Sequence, residues 1–135
     1  MIDHNFDAAM VDLDGTMVDT LGDFVAALDL MLDDLALPRV KPAAVARLVG
    51  KGGEHLVRGV LAAVGVPHGE IDTRVEQALA RYRHHYALVN GRYSTVFPGV
   101  AEGLAQLRGR GLKLACVTNK PTDASQVLLR AKGLD

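Results

Sequence analysis

Apolar residues follow two rhythms along the chain. "FDAAMVDLD", residues 6–14, is a short stretch uncharged from Ala8 to Val11, and it predicts a fully buried strand that ends at two aspartates. "LKLACVTN", residues 112–119, predicts a second strand of the same kind. Between them the period is helical. Leu21, Phe24, Val25, Leu28, Met31, Leu32 and Leu35 recur at three- and four-residue steps, which places them on one face. Thr20 or Asp19 is positioned to cap this helix, and Pro38 lies beyond its end. "KPAAVARLVG" predicts a shorter helix stopped at Gly50, "KGGEH" a loop, and "LVRGVLAAVG" a helix ended by Gly65 and Pro67. A fourth helix is expected from about Asp72 to Val89, where "NGRYS" breaks it. "FPGVAEGLAQLRGRG" predicts a helix that starts near Pro98. "PTDASQVLLRAKGLD" predicts another, capped near Thr122 and closed at Gly133.

The expected order is strand, four helices, helix, strand, helix. The last three elements resemble one right-handed α/β unit. A crossover between parallel strands needs only one helix, so the four helices read as an insertion behind the first strand. The expected fold class is α/β: a core of residues 1–18 and 96–135 with two parallel strands, and a helical insertion over 19–95.

Composition narrows the function classes. The chain has 135 residues, 49% hydrophobic, a formal net charge of −1 and only 4% aromatics, which suits an ordinary globular protein with a core of Leu, Val and Ala. Such balanced charge gives no reason to expect nucleic acid or an anionic membrane as a partner. The one cysteine, Cys116, excludes an internal disulfide, and its apolar surroundings predict a small core residue in a reducing compartment. "MIDHNFD" lacks the basic start and apolar stretch of a signal peptide, and no apolar run approaches a membrane span. A cytoplasmic location is expected.

Asp12 and Asp14 stand two residues apart with Gly15-Thr16 behind them. Asp-Gly between apolar runs can mark a β-hairpin, but the residues after Met17 have helical and not alternating periodicity. A calcium loop would want an acidic or amide side chain, Gly and Glu where the chain has Thr16, Met17 and Asp23. A plain solvated loop is the third alternative. The functional alternative is an anionic site at the C-terminal end of a strand, where ligands of open α/β sheets bind. There Mg²⁺ would offset the repulsion of the carboxylates. Gly15 would let the backbone approach a bound group, and the Thr16 hydroxyl and N–H would face phosphate oxygens. One carboxylate would attack phosphorus and the other would protonate the departing oxygen.

"DLDGT" and "CVTNK", each at a strand end, resemble the first two motifs of the haloacid dehalogenase superfamily of phosphatases. The helical insertion resembles that superfamily's type-1 cap. "DLDGTMVDT", "VGKGGEHLVRGVL", "FPGV" and "LACVTNKP" together are similar to its phosphoglycolate phosphatase branch. The resemblance implies a Rossmann-like core, present here in part, and hydrolysis of a small phosphomonoester with Mg²⁺ as cofactor. It implies that Asp12 is the nucleophile, forming an aspartyl-phosphate, and that Asp14 is the general acid and then base, both touching the metal. It implies that Thr118 and Asn119 bind phosphate oxygens and that Lys51, Gly52 and Gly53 sit in the loop closing over the substrate's other end. The residues alone leave alternatives: Thr118-Asn119 as turn and cap residues leaving a strand, Lys51 as a plain exposed lysine, and Lys120 as a phosphate-facing cation or a solvated residue at a helix start. His84 and His85 occupy adjacent helical positions and do not share a face, which speaks against a metal pair and for surface or packing roles.

The family pattern continues through a third motif with a lysine and a fourth with Gly-Asp, and this chain has neither after "CVTNK". The one Gly-Asp, Gly22-Asp23, lies inside the first helix of the insertion. The chain is therefore expected to be an N-terminal piece of a longer enzyme or a truncated product, with two strands whose edges a second copy would cover. Phosphoglycolate is the leading substrate. A sugar phosphate, pyrophosphate or nucleotide is the enzymatic alternative, and a non-catalytic phosphate-binding or interaction module is the alternative from another class.

Overall fold

β1 (Ala8–Val11) and β4 (Lys113–Cys116) pair in parallel, Ala8 opposite Lys113 and Val11 opposite Cys116, as the two apolar runs predict. The computed structural model describes residues 5–135; residues 1–4, with which the expected first core segment begins, lie outside them. Six helices complete this α/β fold: α1 (Leu21–Asp34), α2 (Pro42–Leu48), α3 (Gly53–Ala63), α4 (His68–Val89), α5 (Val100–Gly109) and α6 (Thr122–Ala131). Helix α3 starts at Gly53, inside the expected loop, and α4 starts at His68, a turn earlier than expected. At the head of α1 the Thr20 side chain makes no cap; Asp19 Oδ1 accepts the Leu21 N–H at 3.3 Å instead.

Helices α1–α4 share one apolar core. Leu28, Met31, Leu32, Val57, Val60 and Leu61 are fully buried there, each contributing on the order of 1.5–3 kcal/mol. His85 on α4 joins α1 through Asp34 (Nε2 to Oδ2, 2.6 Å). His84 lies edge-on to it, so the two histidines do not form a metal pair.

The expectation of fully buried strands fails. β1 alternates between exposed and half-buried positions, β4 is exposed except for the half-buried Leu114, Met10 is 78% exposed, and Cys116 is exposed rather than a core residue. A parallel sheet is buried when helices cover both faces. Here Leu13, Met17, Val18 and Leu128 form a small core with Val11, Val100 and Leu104 on one face, while Met10 and its neighbours on the other meet solvent.

Two chain crossings join the helical part to the strands. They pair as a short antiparallel ladder that the periodicity does not announce: β2 (Val18–Asp19) against β3 (Thr95–Val96). Close approach of the crossings requires glycine at 22, because a Cβ there would stand 2.4 Å from the Tyr93 carbonyl oxygen. Asp23 beside it is 0% exposed and accepts the N–H of Gly91 at 2.9 Å and of Tyr93 at 2.6 Å. Lys132 Nζ grips the same segment from the other side, donating to the Gly91 and Ser94 carbonyls at 3.0 and 2.5 Å. The Gly-Asp pair is thus a structural anchor.

Candidate active site

The turn after β1 is closed by backbone bonds, with the N–H of Gly15 donating to Val18 O (2.9 Å), and those of Thr16 (3.2 Å) and Met17 (3.0 Å) to Leu13 O. Gly15 is needed for its left-handed φ of +75°; no atom comes within 4 Å of where its Cβ would be. Gly15 and Thr16 are exposed, stand outside the cavity wall, and the Thr16 N–H is spent inside the turn.

What the turn does is aim Asp12 and Asp14 at a cavity of about 770 Å³ between the strand ends and the helices. Thr118, Asn119 and Lys120, leaving β4 beside β1, line the same cavity, and Gly52, Gly53, Phe24, Tyr82, Arg83 and Tyr86 come from the helical side. Adjacent parallel strands end on the same side of a sheet, so two motifs far apart in sequence converge. Lys51 is exposed and absent from the wall, so this expected loop residue is not brought to the site.

Each polar group has a distinct environment. Asp12 Oδ1 accepts the Leu13 N–H at 2.8 Å. Lys120 Nζ lies 3.0 Å from Asp14 Oδ1, with side chains only 3% and 9% exposed. This is an ion pair rather than a directed hydrogen bond, and Asp14 Oδ1 has no hydrogen-bond partner among the described residues. The lysine sits 4.7 Å from the ring centroids of both Phe24 and Tyr86 and bonds the Tyr86 hydroxyl. Burial pushes the Lys120 ammonium below the usual lysine range, with the Asp14 charge opposing that shift. Lys120 is therefore neither solvated nor turned to a free phosphate position; it is held between a carboxylate and two aromatic faces. Asn119 Nδ2 donates to the Gly50 carbonyl at 2.6 Å, tying the loop before α3 to the strand end. Thr118 Oγ1 accepts the Lys120 N–H at 3.2 Å.

The sequence reading missed the aromatic and basic wall. Tyr82 and Tyr86, four residues apart in "RYRHHY", stack with Phe24 against the cavity, with Tyr82–Tyr86 centroids 5.6 Å apart and Phe24–Tyr86 5.5 Å. That spacing was the available signal. Among the described residues no cluster of three or more His, Cys, Asp or Glu could hold a metal. The two carboxylates still suit Mg²⁺, which keeps several waters and needs only one or two carboxylates beside a substrate phosphate. The exposed Asp12 carboxylate, with Oδ1 accepting the Leu13 N–H and no other bond among the described residues, is consistent with that donor set, while Asp14 Oδ1 is matched by Lys120.

Residues 6–135 match the haloacid dehalogenase-like hydrolase family. The chain is 45% identical over 129 residues to a plasmid-encoded phosphoglycolate phosphatase of Cupriavidus necator, covering 94% of this chain and 54% of that protein. It is 35% identical to a phosphoglycolate phosphatase of Thiobacillus denitrificans, with 94% and 56% covered. A crystal structure of a predicted phosphoglycolate phosphatase from Haemophilus somnus superposes with a TM-score of 0.79 at 28% identity, over 96% of this chain and 58% of that one. The chain thus spans about half the length of the curated relatives it matches. No helix among the described residues is long and apolar enough to cross a membrane.

Proposed function

The chain belongs to the haloacid dehalogenase-like hydrolases, and from that premise we propose that it carries the nucleophile half of a Mg²⁺-dependent phosphatase acting on 2-phosphoglycolate. Residues 1–18 and 96–135 are the core and 19–95 the cap in this reading, and the enzyme is cytoplasmic. The observation that carries it is the convergence of Asp12, Asp14 and Thr118 on one cavity at the ends of two parallel strands.

An Asp12 carboxylate oxygen attacks phosphorus, the bond from phosphorus to the ester oxygen breaks, and Asp14, a carboxylate beside Lys120 in the free protein and protonated in the substrate complex, gives its proton to that oxygen as it leaves. Asp14, now a carboxylate, takes a proton from water. The resulting hydroxide attacks phosphorus, the bond to Asp12 breaks, and phosphate is released. Mg²⁺, held by the Asp12 carboxylate and the Asp14 backbone carbonyl, would neutralise charge on the phosphoryl oxygens. The Thr118 hydroxyl orients a phosphate oxygen. The cap helices exclude bulk water during the first step.

The test is phosphate release from 2-phosphoglycolate with Mg²⁺, against Asp12→Asn. The variant keeps the fold and loses about four orders of magnitude or more in turnover. A surviving rate in Asp12→Asn would refute the nucleophile assignment. A second reading, a phosphate-binding module without turnover, is favoured by the ion pair that ties the proposed acid, Asp14, to Lys120. A folded wild-type chain that binds phosphate and releases none from the ester would select it.

A further inference from the structure

Most polar side chains on the cavity wall are already engaged. Asn119 is spent on the Gly50 carbonyl, Asn90 Nδ2 on the Ala124 carbonyl at 3.0 Å, and the Tyr86 hydroxyl on Asn90 Oδ1 at 3.2 Å and on Lys120. Lys120 is matched by Asp14. Two donors on the helical side remain, adjacent in α4 and both on the wall: the Tyr82 hydroxyl and the Arg83 guanidinium. Neither makes a hydrogen bond or ion pair among the described residues. Tyr82 is 5% exposed, its hydroxyl has no protein partner among the described residues, and burial keeps the phenol protonated. Arg83 is the cavity's one cation without a carboxylate partner among the described residues.

Asp12 and Asp14 line the same cavity from the strand ends. A ligand anion away from those carboxylates needs a cation of its own, and a guanidinium fork with a neighbouring hydroxyl matches a carboxylate's two oxygens. We propose that Tyr82 and Arg83 form the recognition site for a carboxylate at the far end of the phosphoester. The proposal rests on the phosphatase reading and deepens it. It places selection for an acid-bearing substrate on α4, not on Lys51.

The test is calorimetric binding, in Mg²⁺, of 2-phosphoglycolate and of 2-hydroxyethyl phosphate, whose far end is neutral. Wild type, Arg83→Gln and Tyr82→Phe are compared, with circular dichroism as a check of folding. The wild type prefers 2-phosphoglycolate by about tenfold or more, the scale of a charge-assisted pair. Arg83→Gln erases that preference and leaves the affinity for 2-hydroxyethyl phosphate unchanged, while Tyr82→Phe loses part of it. Equal wild-type affinities, or an Arg83→Gln variant weakened alike for both ligands, overturns the assignment and leaves the phosphatase reading standing. A folded wild type that binds neither ligand overturns both.

Discussion

Replacing Asp23 with alanine removes the one carboxylate that holds the return crossing onto α1. Its two oxygens accept the N–H groups of Gly91 and Tyr93 at 2.9 and 2.6 Å, and the side chain is fully buried. With the carboxylate gone, both N–H groups lose a charged acceptor, at about 1.5–3 kcal/mol each. The Asp23→Ala cost is therefore about 3–5 kcal/mol, a large share of the roughly 5–15 kcal/mol that stabilises a domain. Asp23→Asn keeps one acceptor but turns an amide N–H₂ toward the second N–H, so its cost is about half, ~2 kcal/mol. Asp19→Ala is the control: Asp19 is exposed and its bond to the Leu21 N–H is 3.3 Å, so its loss costs below ~1 kcal/mol. Urea unfolding followed by circular dichroism gives the three values. Hydrogen exchange at the Gly91 and Tyr93 amides localises the change. An Asp23→Ala protein within about 1 kcal/mol of wild type, with those amides still protected, would refute the anchoring argument.

Two further outcomes concern the buried groups at the cavity. Lys120→Met keeps the chain length and the apolar contact with Phe24 and Tyr86 but leaves Asp14 without its counter-ion. With side chains only 3% and 9% exposed, the loss in unfolding experiments is about 3–5 kcal/mol, the cost of breaking a buried pair, and a neutral result counts against the caged ion pair. Burial raises the Tyr82 and Tyr86 phenols well above their ordinary 10.0. Above that pH the unfolded chain loses these protons first, so stability is intact below pH 10 and falls as pH rises beyond it. Alkaline titration of phenolate absorbance tests this, and all three tyrosines ionising near 10 in the folded protein would contradict it.

Much was legible in the chain itself. Helical period marked α1 from Leu21 to Leu35, and the short apolar runs marked β1 and β4. Both are local properties, set by how side chains alternate along a backbone. The two aspartates behind β1, and Thr118-Asn119 behind β4, were readable as chemistry because residue type and strand end coincide. The start of α3 at Gly53 was hidden, because glycine reads as a loop residue and here begins a helix.

Only the tertiary structure decided burial and partnership. The apolar strands look like core segments, yet coverage on one face alone leaves Met10 and Cys116 exposed. Lys120 reads as a solvated or phosphate-facing cation until folding sets it against Asp14, Phe24 and Tyr86. Asp23 reads as a stray acidic residue until the crossing brings Gly91 and Tyr93 onto it. Tyr82 and Arg83 read as two residues of a helix until the other donors of the cavity are seen to be taken. Period is written between neighbours, whereas the energy of a buried charge depends on what arrives from elsewhere in the chain, and that is settled only when the chain closes on itself.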